Sequence, residues 1–252
     1  MVEINIYPYE KEYQILSELY PPIPANKFLP EWYKKQSFSN EEKEFFKDTT
    51  KEESSNTHAK NCPAIQYQIT NGFIIPAWCD IWIVQVDEFN YKWKIAVGGL
   101  NYVNKTGHKF LQQHLVGQDE FMDLNVPKLG ILKLISPYLI TAPKGYGVRF
   151  DDLFFHHRRN IKLIPGSVDM DIWHQVNFPF EYYYPLESIE NKKIIVRAGE
   201  PLIMATPYRK GDQHCDLKVN KFDPDIYKKQ KDNLVLHSTV GSDWKRYKKH
   251  FE

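Results

Sequence analysis

The sequence predicts a mainly β protein: a distorted β-sandwich or jelly-roll-like core, preceded by a proline-rich N-terminal strap and followed by a short helical C-terminal tail. Three observations point there. Aromatic residues make up 15% of the 252 positions, as 16 Tyr, 15 Phe and 6 Trp, and rings fit a pleated, half-buried surface. Sixteen prolines stand beside only 12 glycines, which cuts the chain into short extended runs. From residue 131 to 210, apolar runs alternate with turn signals roughly every 8–15 residues, close to the spacing of sandwich or barrel strands.

Three regions follow: residues 1–61 as strap and polar loop, 62–210 as the β core, and 211–252 as the tail. Val2–Tyr7 reads as an edge strand. Pro21, Pro22, Pro24 and Pro30 then prevent regular pairing. Leu29–Tyr33 reads as a short helix with proline near its first turn, and residues 39–60 as a solvated polar stretch. Phe73–Trp78 and Asp80–Val86 are strand-like, the second apolar enough for burial on both faces. Tyr91, Trp93, Ile95 and Val97 alternate with polar residues, so 80–98 reads as a β-hairpin turning at 87–90.

Further strands are expected at Ile131–Ile135, Tyr138–Thr141, Val148–Phe150, Asn160–Ile164, Val176–Tyr184, Lys193–Arg197 and Leu202–Thr206. Turns fall at Pro143–Gly147, Pro165-Gly166 and Ala198–Pro201. In the tail, Asp223-Pro224 supplies a cap and a first-turn proline for a helix through Ile226, Tyr227 and Gln230. A second helix is expected over Ser242–Lys249, with a basic outer side. Phe73, Trp78, Trp82, Trp93, Phe150, Phe178 and Phe180 are the expected core rings. Each is worth roughly 1.5–3 kcal/mol when buried, so loss of Trp82 should destabilise severely.

Composition removes several function classes. Thirty-three Lys+Arg against 32 Asp+Glu give a net charge of +1, without the cationic surplus of a dedicated nucleic-acid binder. No run approaches a membrane-spanning length, and the first residues carry acids and tyrosines where a secretory signal needs a basic start. Cys62, Cys79 and Cys215 are too few and scattered for a disulfide framework or zinc knuckle. The phosphate-loop, dinucleotide, zinc-protease and serine-hydrolase signatures are all missing.

Three constellations remain as candidate sites. His214-Cys215-Asp216 spells the H-x-D of a facial iron triad, which makes His214 and Asp216 candidate metal ligands in an Fe(II)-dependent jelly-roll oxygenase. His156-His157-Arg158-Arg159 reads as a basic loop. Gly166-Ser167-Val168-Asp169-Met170-Asp171 puts two acids around one residue at a strand end. Their side chains project to one side, where they could hold a sugar hydroxyl, a water or a divalent cation, or simply cap a turn.

That last stretch, with Val196–Ile203 after it, resembles two signatures of the dUTPase and dCTP-deaminase β-clip fold. The resemblance implies a ligand-binding or catalytic role for Asp169 and Asp171, Lys144 or Arg149 near phosphate, and Mg²⁺ as companion cation. The R-S-S motif that grips phosphates in those enzymes is missing, and Pro143–Arg149 stands roughly where it would belong.

A longer series resembles an uncharacterised family of tailed phages, especially marine ones, and some bacteria. It runs through Leu29–Lys34, Asn61–Pro63, Gly72–Asp80, Ser136–Tyr138, Ala142–Tyr146, Pro165–Asp171, Asn177–Phe180 and Ala198–Pro201. It implies a viral origin, hence the host cytoplasm or the virion as location. Function then reads as a non-catalytic binding or assembly protein with a protein partner or self-association. A dUTPase-like nucleotide-binding or hydrolysing protein is the alternative, and the iron oxygenase the third.

Overall fold

The computed structural model describes residues 2–35, 62–85, 91–96, 110–113, 129–154, 156, 161–183, 193–211, 217–218, 223–229 and 231. The stretch 39–60, the turn at 87–90, His157–Arg159, His214, Asp216 and the helix expected over Ser242–Lys249 lie outside them. Contacts divide the chain into two units, Met1–Phe28 with Gly72–Gln213, and Leu29–Asn71 with His214–Glu252.

The first unit is mainly β, as the sequence predicts. In chain order its strands are β1 (Asn5–Pro8), β2 (Ile23–Pro24), β3 (Phe73–Pro76), β4 (Asp80–Gln85), β5 (Tyr91–Ala96), β6 (Leu111–Gln113) and β7 (Leu129–Thr141). There follow β8 (Tyr146–Asp151), β9 (Ile161–Leu163), β10 (Gly166–Val168), β11 (Gln175–Tyr183), β12 (Lys193–Val196) and β13 (Pro201–Arg209). Among the described residues they form three antiparallel sheets. One runs β1-β7-β11-β9 with β6 also on β7, another β10-β8-β13-β3-β2, and a small third β12-β4-β5.

The two larger sheets share one apolar interior. Leu132, Leu134, Phe178 and Phe180 come from the first, and Ile75, Val148, Phe150 and Ile203 from the second. Phe150 meets Phe178 across it, with ring centroids 5.2 Å apart. Trp78 sits edge-on to Tyr138 at 6.1 Å and tilted to Phe178 at 6.2 Å. The N-terminal residues contribute too. Tyr13 and Leu16 are fully buried, and Tyr138 Oη donates to the Tyr20 carbonyl at 2.7 Å.

Of the expected core rings, Trp78, Phe150, Phe178 and Phe180 are buried, and Phe73 packs half-buried against the cluster. The Trp93 side chain lies outside the described residues. Trp82 is a correction. The β4–β5 hairpin forms as expected, but Ile81 and Ile83 are buried while Trp82 is half-exposed beneath the Arg197 guanidinium, 5.8 Å from its ring centroid. Successive strand residues face opposite ways, and here one face of β4 is only half covered.

The two strands expected at 131–135 and 138–141 are one strand, β7. Pro137 offers no N–H to a ladder, yet it interrupts little. It falls between the stretch paired with β6 and the stretch paired with β1, and opposite a register slip in β11 between Gln175 and Asn177. Its carbonyl still accepts the Tyr9 N–H at 2.7 Å, and Ser136 Oγ accepts the Tyr138 N–H at 3.0 Å. A proline tolerated at a bulge reads, in one dimension, like a strand break.

The second unit contains the helix Glu31–Lys35, with Pro30 at its head as expected and a Glu31–Lys34 ion pair at 2.8 Å, and the helix Pro63–Thr70. Asp223 caps residues 224–229: its Oδ1 accepts the N–H groups of Asp225 at 2.8 Å and Ile226 at 3.2 Å. No described helix is long and apolar enough to cross a membrane.

Candidate functional site

Three chain segments meet at one end of the second sheet of the first unit. The turn Pro143–Tyr146 precedes β8 and closes on Tyr146 N–H donating to the Pro143 carbonyl at 3.1 Å. Gly145 lies at φ +84°, a conformation that penalises any Cβ. The turn after β10 carries Asp169 and Asp171. The end of β13 carries Tyr208 and Lys210, and is held to the first turn by Lys210 N–H donating to the Gly145 carbonyl at 2.8 Å.

Lys210 is the centre of the arrangement. Its ammonium lies 3.0 Å from Asp169 Oδ2 and 2.5 Å from Asp171 Oδ1. Asp171 Oδ2 accepts the Gly145 N–H at 2.9 Å, and Asp169 Oδ1 accepts the Tyr208 hydroxyl at 3.1 Å. The hydrogen bond from Lys210, then that from Gly145, holds the Asp171 carboxyl below the usual carboxylate range. The hydrogen bond to Asp171 in turn raises the Lys210 ammonium above the usual lysine value. Tyr208 keeps its place because it crosses Gly147. A Cβ there would come within 2.4 Å of the Tyr208 ring, so the missing side chain is the seat of the ring.

The backbone of the same turn is closed from within. The Asp169 carbonyl accepts the N–H groups of Ile172 at 3.0 Å and Trp173 at 2.9 Å. Met170 is fully buried as its anchor. Its carbonyl accepts the Ala142 N–H at 3.3 Å and faces His174 Nδ1 at 3.1 Å. Ile172 and Trp173 are left outside, 63% and 67% exposed.

Asp169 and Asp171 are thus brought together. Arg149 is not joined to them: its Nε and Nη2 donate to Asp151 Oδ1 at 3.0 and 2.8 Å, and Asp151 is nearly buried. Lys144 stands exposed on the turn whose next residue contacts Asp171. His214 and Asp216 fall outside the described residues, among which no group of three His, Cys, Asp or Glu is arranged to hold a metal. Cys79 is buried, and burial, and next Asp80, push its thiol up to about 12, which disfavours the thiolate.

Sequence reasoning missed Lys210 and Tyr208. Tyr208 lies 39 residues from the acid it contacts, and the pairing of β13 with β8 brings it there. The available signal was a lysine followed by glycine at a strand end, opposite a glycine turn.

No protein-family model matches the chain, and no curated protein matches it. Among solved structures, two variants of the dUTPase of Staphylococcus bacteriophage 80alpha, one determined with dUpNHpp, bear a weak likeness to it. Both are 11% identical. One covers 45% of this chain and 97% of its own length at a TM-score of 0.27, the other 45% and 98% at 0.26.

Proposed function

We propose that this chain is a phage-encoded binding or assembly protein that works without catalysis. The observation that carries this reading is the state of its two most chemistry-like residues. Asp169 and Asp171 each already hold the Lys210 ammonium, and each accepts a further hydrogen bond, from Tyr208 or from Gly145. A cation or attacking water would have to displace a built-in lysine. Arg149, one of the two residues expected near phosphate, is committed to Asp151, and the other, Lys144, stands exposed. Carboxylates neutralised in this way brace a turn. The phage origin rests on the motif series from Leu29 to Pro201.

A thermal-shift panel of deoxynucleoside mono-, di- and triphosphates with Mg²⁺ tests the reading. The expected result is no change in Tm with any of them. A concentration-dependent rise with one nucleotide, since binding to the native state stabilises it, would favour the nucleotide-binding alternative instead. Loss of that rise in Asp169→Asn would then locate the ligand at the two acids.

A further inference from the structure

We infer that the outward face of the third sheet, β12-β4-β5, binds single-stranded nucleic acid, with Trp82 as the stacking platform and a set of cations for the phosphates. The inference rests on the binding or assembly reading and names the partner: an unpaired polynucleotide.

The sheet has two unlike faces. Ile81 and Ile83 of β4 and Val196 of β12 are buried in the main interior, so the alternate positions of each strand lie on the other side. Trp82 holds the centre of that side, half-exposed. Arg197 lies over it, its guanidinium carbon 5.8 Å from the ring centroid and its side chain 55% exposed. Positions directly opposite each other in an antiparallel pair share a face. Lys94 stands opposite Trp82, while Lys92 and Lys193 stand opposite Val84 on its two flanks. Four cations therefore belong to this one face. The acid on it, Asp80, is engaged: Oδ1 accepts the Ala198 N–H at 2.8 Å, and Oδ2 meets Arg197 at 3.4 Å. The chain's net charge of +1 averages this face against acids elsewhere.

Spacing and the tryptophan choose the occupant. Positions two apart on one strand, such as Lys92 and Lys94, are separated by roughly 6.8 Å. That is twice the rise of about 3.4 Å along a strand of stacked duplex. Cations at this pitch suit an extended strand whose bases are unstacked. An unstacked base needs a plane to rest on, and a tryptophan among cations supplies one whatever the base. Arg197 adds a second plane, with donors at its edge for a phosphate. An acidic peptide would satisfy the lysines and leave Trp82 unused. Phosphates seated on this face release counterions, so affinity falls as salt rises.

Fluorescence anisotropy of a labelled oligothymidylate, longer than a site of about 16 nucleotides, titrated with the full chain at rising salt, tests this. Binding is expected, with log K falling against log salt at a slope of about −3, from roughly −0.7 for each of four phosphate contacts. Trp82→Ala should weaken binding roughly tenfold, as loss of one stacked base does, and leave the slope unchanged. Lys92→Gln, Lys94→Gln and Lys193→Gln combined should flatten the slope to about −0.7. Circular dichroism confirms that each variant folds, and the lysine variant keeps the test decisive should Trp82→Ala misfold. No binding at low salt, equal affinity for a duplex of the same length, or equal affinity for polyglutamate with no loss in Trp82→Ala overturns the inference. The mononucleotide panel run on the same samples separates the two claims. No oligonucleotide binding beside a silent panel removes only this inference. A panel response that Asp169→Asn abolishes removes the non-catalytic reading and leaves the result at Trp82 standing.

Discussion

Trp78 and Trp173 are the same side chain in opposite settings, 1% and 67% exposed, and the regions around them are held in opposite ways. Trp78 sits among Tyr138 and Phe178 in an interior where contact and exclusion of water supply the stability. Trp173 rides a turn held from beneath by a carbonyl, two carboxylates and one ammonium. Only the second can be loosened by protons or salt while the rest of the fold stays in place.

The contrast can be broken most forcefully from the inside. Trp78→Ala should cost about 3–5 kcal/mol, because the vacated volume is enclosed by rings that cannot all collapse into it. Chemical denaturation will read this as a lower midpoint at an unchanged slope. Gly147→Ala is expected to cost about 1–3 kcal/mol, as the new methyl must push the Tyr208 ring aside. Tyr208→Ala should rescue most of that loss, which a double-mutant comparison measures.

Trp82→Ala sharpens the comparison among tryptophans. Half-exposed and covered by Arg197, it should cost about 1 kcal/mol, well short of Trp78→Ala.

The smallest effect belongs to the turn. Lys210→Met should lower Tm less than any of these at neutral pH, in a pH-dependent way. Asp171 has a lowered folded-state pKa, so its contribution is full above the ordinary Asp value, about 4, and is lost as pH falls through the lowered one. Lys210 has a raised value, so its contribution is full below the ordinary lysine value, about 10.4, and is lost as pH rises through the folded value. The Tm gap between wild type and Lys210→Met should therefore be flat through neutrality and close at both extremes. A gap that persists in strong acid would mean that Lys210 acts by packing.

Legibility in the sequence tracks the range of the interaction. The β4–β5 hairpin, the Gly145 turn and the Asp223 cap each depend on residues a few positions apart, and each was readable. Pro137 was misread, because whether a proline ends a strand depends on which partners flank it. Trp82 was misread, because period-two alternation identifies two faces but not how well each is covered. At the candidate site, the acids were visible as a motif while their partner was not. Nothing near Asp169 announces Lys210, since only the β8–β13 pairing brings them together.

The first strand of the chain joins residues near its middle, Asn5 pairing with Thr141, and β3 and β8 both need β13 between them. On the ribosome, β1 therefore emerges long before its partner exists, and the second sheet stays split until residues 201–209 are made. Such late, long-distance closure slows maturation and leaves ring-rich segments uncovered during synthesis. Yield from a cell should accordingly depend on growth temperature and chaperone supply more steeply than the finished molecule's resistance to heat would suggest.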